Sequence, residues 1–208
     1  MKRAGFTLVE ILIVVTIIGI LLGIMLPALT MGPRKARVAE TSLLIQRIKA
    51  VLDTYQGDFG DYPPTSITDT GFATNGVNDG VESLLISLAT KEKRGPYFES
   101  EEKFLANLDS DSVAASYNLT WYFGDREARE IVDSWGNPLV YFHHRDYENP
   151  KANLQRYKLA NKKYASSVRP KKSLKTSTFP SWDSFEIWSF GPDGVNDNGE
   201  GDDITSWK

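Results

Sequence analysis

The chain has 208 residues, 41% of them hydrophobic and 25% charged, with a formal net charge of −3 and no cysteine. That is ordinary for one folded domain with an appendage. The missing basic surplus argues against nucleic acid as a partner, and the missing thiols exclude disulfides, cysteine nucleophiles and cysteine metal sites.

These averages hide an asymmetry. From Phe6 to Leu29 nearly every residue is apolar, broken by Thr7, Glu10, Thr16 and a few small residues, and beyond Arg34 the chain reads as soluble. About 20 apolar residues carry a helix across a bilayer core of about 30 Å. The basic start, Lys2-Arg3, suits a secretory signal peptide, but the run is too long and Ala28 with Thr30 makes no A-x-A cleavage site. Two features fit a plain anchor poorly: the run begins abruptly after Gly5, and Glu10 sits inside it. A carboxylate in hydrocarbon costs roughly 2.5–3.5 kcal/mol on insertion scales. Glu10 therefore either has a partner or lies close enough to the membrane face to stay wet.

Met1-Lys2-Arg3-Ala4-Gly5-Phe6-Thr7-Leu8-Val9-Glu10 resembles the leader and cleavage site of type IV prepilins and pseudopilins. The resemblance implies that Gly5 ends the leader and that Phe6 becomes the N-methylated terminus after a prepilin peptidase cuts. It makes Glu10 the carboxylate that pairs with the terminal amine of a neighbouring subunit. Such a pair cancels two charges that are each expensive alone in a membrane, and it sets the axial register of assembly.

Gly19, Gly23 and Pro27 punctuate the apolar segment. Glycine and proline weaken a helix interior, so this stretch is either a kinked transmembrane helix or, by the same resemblance, one that loses helical form on assembly. From Arg34 the pattern becomes amphipathic: Val38, Thr41, Ile45, Ile48, Leu52 and Tyr55 form one stripe, with Lys35, Glu40, Arg47, Lys49 and Asp53 largely off it. A helix from Phe6 to Gln56 is about 75 Å long at 1.5 Å per residue; Gly57 and the following Asp-Phe-Gly-Asp-Tyr-Pro-Pro run are expected to stop it. The expected organisation is a leader (1–5), a transmembrane and assembly helix (6–29), its amphipathic continuation (30–56) and a globular head (57–208). Basic residues flank the apolar run on both sides, so charge alone leaves orientation open. The resemblance puts the leader in the cytoplasm and the head in the periplasm.

In the head, Asp58 to Pro64 resembles the Tyr-Pro segment of G-type pseudopilins, and Val81 to Leu88 reads as a short amphipathic helix. Asn78 and Asp79 read as its caps, the alternative being a second metal site. Asp133-Ser134-Trp135-Gly136-Asn137-Pro138 resembles that family's Asp-Pro-Trp-Gly-Asn-Pro turn, with Ser134 in place of the usual proline. Strands are expected at Leu139–Phe142 and, by alternation, at Phe185–Phe190. His143 and His144 are adjacent on a strand, point to opposite faces and read as exposed strand-end residues unable to share an ion. Pro150 to Lys175 holds nine Lys or Arg and no acid. Measured against the family it is an insertion, read as a solvated loop or a basic docking surface. No nucleophile elbow, phosphate loop or metal-hydrolase spacing occurs.

Gly191 to Ile204 packs five carboxylates and two Asn among four Gly. Crowded like charges repel and glycine makes ordering costly; Ca²⁺, which takes six to eight oxygens in flexible geometry, reverses both penalties. The spacing is not that of an EF-hand. Ser189-Phe190-Gly191-Pro192-Asp193-Gly194 and Asp202-Asp203-Ile204 resemble the two ends of the calcium loop of G-type pseudopilins. That resemblance implies Asp193 and Asp203 as ligands, Asp202 next, and backbone carbonyls near Phe190 and Val195.

The expectation is an α+β protein, with a long N-terminal helix packed on a small antiparallel sheet and a calcium-tied C-terminal loop. The resemblance implies a non-enzymatic subunit of the periplasmic pseudopilus of a type II secretion system. Its partners are copies of itself in a helical homopolymer, minor pseudopilins, the prepilin peptidase, and an inner-membrane assembly platform with a cytoplasmic ATPase. The alternatives are a surface type IV pilin and a membrane-anchored, calcium-dependent binding module.

Overall fold

The computed structural model describes residues 7–66, 68, 75–99, 101–112 and 124–207, apart from the side chains of 24–31. Gly5 and Phe6 therefore lie outside the described residues. Two compact units are present, one ending at Arg37 and the other running from Val38 to the C-terminus.

The first unit holds the beginning of helix α1 (Leu8–Phe59). Its large apolar side chains from Leu8 to Leu22 are all exposed. Among the described residues no helix is long and apolar enough to cross a membrane. The segment that the sequence assigns to the membrane continues into 24–31, beyond the described side chains. The backbone is helical through Gly19, Gly23 and Pro27.

The second unit is built around the amphipathic part of α1. The stripe is real: Thr41, Ile45, Ile48 and Leu52 are buried, Leu44 joins them, and Val51 and Tyr55 pack at the edge. The helix runs past the expected stop at Gln56. Gly57 lies inside it, and the chain turns at Gly60, whose φ of +83° favours glycine. The extra turn is held by Tyr55 stacked on Phe59 at 4.4 Å and by Asp58, which Arg94 and Tyr97 both grip.

Helix α2 (Asp79–Leu88) packs nearly its whole length into the same core, with Val81, Leu84, Leu85 and Leu88 fully buried. The central sheet is antiparallel in the order β3 (Val140–His143), β6 (Phe185–Ser189), β7 (Ile204–Thr205). Two-stranded pairs add β1 (Leu105–Ala106) with β2 (Glu130–Ile131), and β4 (Gln155–Lys158) with β5 (Tyr164–Val168). The architecture is thus α+β, a helix packed on small antiparallel sheets.

Three expectations need correction. Strand β6 does not alternate between buried and exposed; all five residues are buried. At Glu186 the cover comes from the basic segment, which is not a solvated loop, although most of its Lys and Arg side chains stay exposed. It folds into the β4–β5 hairpin, contributes Tyr157, Leu159 and Val168 to the core, and places the Lys171 N–H on Glu186 at 2.6 Å. Asn78 is the N-cap of α2 by position, but not through its side chain as expected: it sits at φ +56° and makes no side-chain cap bond. It is fully buried; its amide donates to Glu130 and its carbonyl accepts from Lys158 N. The histidines are the third case, treated with the site below.

Ser134, where the related turn has proline, uses the N–H that proline lacks. Ser134 N donates to Thr41 Oγ1 at 3.2 Å and its hydroxyl donates to Glu40 at 2.8 Å, so the turn is pinned to α1.

Candidate functional site

At the N-terminus, Thr7 and Glu10 form a reciprocal pair. Thr7 N and Thr7 Oγ1 donate to Glu10 Oε2 at 2.7 and 2.8 Å, and Glu10 N donates back to Thr7 Oγ1 at 3.3 Å. This is a capping box, which satisfies orphan N–H groups at the start of a helix. The Thr-x-x-Glu spacing of a capping box is present in the sequence. Glu10 thus has a local role in each chain besides any partner in a neighbour.

In the C-terminal loop the structure brings the two ends together. Gly191, at φ +65°, lies so close to the Asp202 carbonyl that a Cβ there would collide with it. Asp203 is buried; its Oδ2 accepts from Gly199 N at 2.7 Å and Asp197 N at 3.2 Å, while its Oδ1 is buried without a partner. Burial first, then the Asp197 and Asp202 charges, pushes the Asp203 carboxyl up to about 7. Asp193 instead stays exposed and binds locally, accepting from Val195 N at 2.8 Å. The orphaned Asp203 oxygen, next in sequence to the Asp202 carbonyl that Gly191 approaches, fits an oxygen-seeking cation.

The chain just after the β4–β5 hairpin reaches this loop: Arg169 N donates to Asn198 Oδ1 at 3.0 Å, and Lys171 pairs with Glu200. Sequence reasoning missed this, because nothing local tells a basic segment which acidic segment it will meet.

His143 and His144 are not an exposed, diverging pair. His143 is buried, and the rings stack at 4.4 Å because β3 ends at His143 and a 3₁₀ turn (His144–Asp146) begins. Asp61 lies with them, 3.0 Å from His143 Nε2 and 2.6 Å from an Arg145 nitrogen. His143 Nδ1 accepts from Arg145 N at 3.0 Å, so Nε2 carries the proton and donates to Asp61. Both ring nitrogens are used, leaving His143 no lone pair for a metal. Burial lowers the His143 pKa, with Asp61 opposing.

Against known proteins, residues 1–26 match the prokaryotic N-terminal methylation motif. The chain is 31% identical over 139 residues to the type II secretion system core protein G of Escherichia coli, covering 67% of this chain and 71% of that protein. It is 41% identical over 64 residues to core protein G of Pseudomonas aeruginosa, covering 31% of this chain and 45% of that one. A fimbrial protein of Neisseria meningitidis is 38% identical over 73 residues, or 35% of this chain and 42% of the relative. The matches to the Pseudomonas and Neisseria proteins thus span less than half of those relatives' length. No solved structure is a significant match.

Proposed function

The chain belongs to the family of the type II secretion system core protein G, and from that premise we propose that it is a structural subunit of a periplasmic pseudopilus. In this reading a prepilin peptidase removes residues 1–5 and Phe6 becomes the methylated terminus. The apolar start of α1 anchors the subunit in the inner membrane with its head in the periplasm. Copies then stack helically with minor pseudopilins on an inner-membrane platform driven by a cytoplasmic ATPase, and the growing filament pushes cargo outward. The chain is a mechanical element, not an enzyme.

One observation carries the reading. A methylation motif at 1–26 leads into a helix whose large apolar side chains from Leu8 to Leu22 are uncovered in the single chain. Such a surface needs lipid or neighbouring subunits to bury it. We further propose Ca²⁺ in the C-terminal loop, held by Asp193, Asp202 and Asp203 with carbonyls near Phe190 and Val195. The buried, unpartnered Asp203 Oδ1 supports it. The ion would neutralise the loop's carboxylates and close it against β6.

The test is to express the chain with the secretion machinery of its host and to sequence the mature protein by mass spectrometry. A mature form starting at methylated Phe6, in short periplasmic filaments whose loss stops secretion, supports the reading. A mature form starting at Met1 ends it. Filaments confined to the cell surface, with secretion intact, favour the pilin alternative instead.

A further inference from the structure

Glu82 lies on α2, is fully buried, and has no hydrogen-bond partner for either carboxylate oxygen. A buried ionised carboxylate with no partner is far too costly to leave uncompensated. What surrounds it is more acid. Asp109 and Asp111 each add one buried, unpartnered oxygen, Oδ1 in both cases. Oxygens of Glu82, Asp109 and Glu130 lie within 4.8 Å of one another.

Hydrogen bonds engage only part of the cluster. Asn75 Nδ2 bridges Asp109 and Asp111 at 2.7 and 3.2 Å. Glu130 accepts one hydrogen bond at each oxygen, from Asn78 at 2.6 Å and from Leu108 N at 3.0 Å. Asn107 Oδ1 accepts from Ser110 N and Asp111 N, which shapes the turn that carries both aspartates. The Asn75, Asn78 and Leu108 donors thus take one oxygen each of Asp109 and Asp111 and both of Glu130, while four buried oxygens, two of Glu82 and one each of Asp109 and Asp111, have no partner. Among the described residues, the charges that weigh most on Glu82 are those of Asp111, Asp109, Glu130 and Asp79, all of them acids.

We propose that Glu82, Asp109, Asp111 and Glu130 form a cation site for Ca²⁺, separate from the C-terminal loop. The donor set is all oxygen, which suits a hard cation and not zinc or copper. Oxygens bound to one Ca²⁺ at 2.3–2.6 Å lie at most about 5 Å apart, as those of Glu82, Asp109 and Glu130 do, whereas Mg²⁺ needs a tighter octahedron. The ion would tie α2 to the 107–111 turn and to β2, segments distant in sequence, and closing such loops is where a cross-link stabilises most. Nothing in the site depends on the secretion reading.

The experiment uses the full chain in detergent, with bound calcium counted by equilibrium dialysis against radiolabelled Ca²⁺ and folding followed by thermal melts. Glu82→Gln and Asp109→Asn should each bind one ion per chain fewer than the wild type. Asp203→Asn, which alters only the C-terminal loop, should keep this ion. A cooperative melt of Glu82→Gln in chelator separates loss of the site from loss of the fold, and Asp109→Asn on the partly exposed turn serves if Glu82→Gln does not fold. Equal ion counts for wild type and for the folded variants overturn the proposal, as does a wild type that binds none.

Discussion

Ser189 donates a 2.6 Å hydrogen bond to Asp133 Oδ2, joining the end of β6 to the turn that enters β3. The other oxygen of the same carboxylate accepts from Trp135 N at 2.8 Å and Asn137 N at 3.0 Å. One buried side chain therefore shapes the turn and fastens it to the central sheet. Replacing it strands three donors, each costing roughly 1–3 kcal/mol when buried. Asp133→Ala should lower stability by about 3–5 kcal/mol in chemical denaturation. A loss below about 1 kcal/mol would show that the turn is held by something else.

Glu186 offers a pH test away from the metal sites. Its Oε2 accepts from Lys171 N, its Oε1 is buried without a partner, and burial pushes its pKa up to about 8. The unfolded value is about 4.3, so the folded chain holds this proton more tightly. Its stabilising contribution is full below about pH 4 and drains away as pH rises to about 8. Glu186→Gln should match the wild type near pH 4 and exceed it by roughly 1–3 kcal/mol at pH 9. Parallel stability profiles for the two proteins would mean that Glu186 does not titrate in this way.

Calcium at the C-terminal loop is best tested in the Glu82→Gln background, where the second site is disabled. Binding to the folded state alone adds RT ln(1 + [L]/Kd), about 2.7 kcal/mol at a hundredfold excess over Kd. Asp203→Asn or Asp193→Ala should remove the remaining calcium-induced rise in melting temperature, and magnesium should replace calcium poorly. His143→Ala should leave that rise intact, because both of its ring nitrogens are already engaged. Identical melts in chelator and in calcium would refute the loop site.

Glu10 has two roles that one substitution can separate. Glutamine still completes a capping box with Thr7, but it carries no charge for a neighbour's terminal amine. Glu10→Gln should keep its helix and insert at least as well as the wild type, since a costly charge is gone from the apolar segment. Filament assembly should nevertheless fall sharply, as judged by counting filaments after overexpression. Normal filament numbers would reduce Glu10 to a helix cap.

Much of this protein is written locally in its chain. The basic start, the Gly5–Phe6 junction and the apolar run are a contiguous pattern, so the family was legible before any fold. The stripe from Thr41 to Leu52 follows from side-chain period, and the strands at 140–143 and 185–189 from their aromatic and β-branched residues, although their burial on both faces does not. The acidic, glycine-rich loop was visible for the same reason.

Only the tertiary structure decided which groups meet. Glu82 reads as an ordinary polar residue of a short helix until the 107–111 turn and β2 close over it. Asn78 passes for a cap until Glu130 and Lys158 N take both ends of its amide. Glu186 reads as one residue of an alternating strand until Lys171, from the chain just after the β4–β5 hairpin, donates to it. In each case the partners lie far apart along the chain. Burial and electrostatics depend on distance in space, which residue period and spacing encode only within a single element.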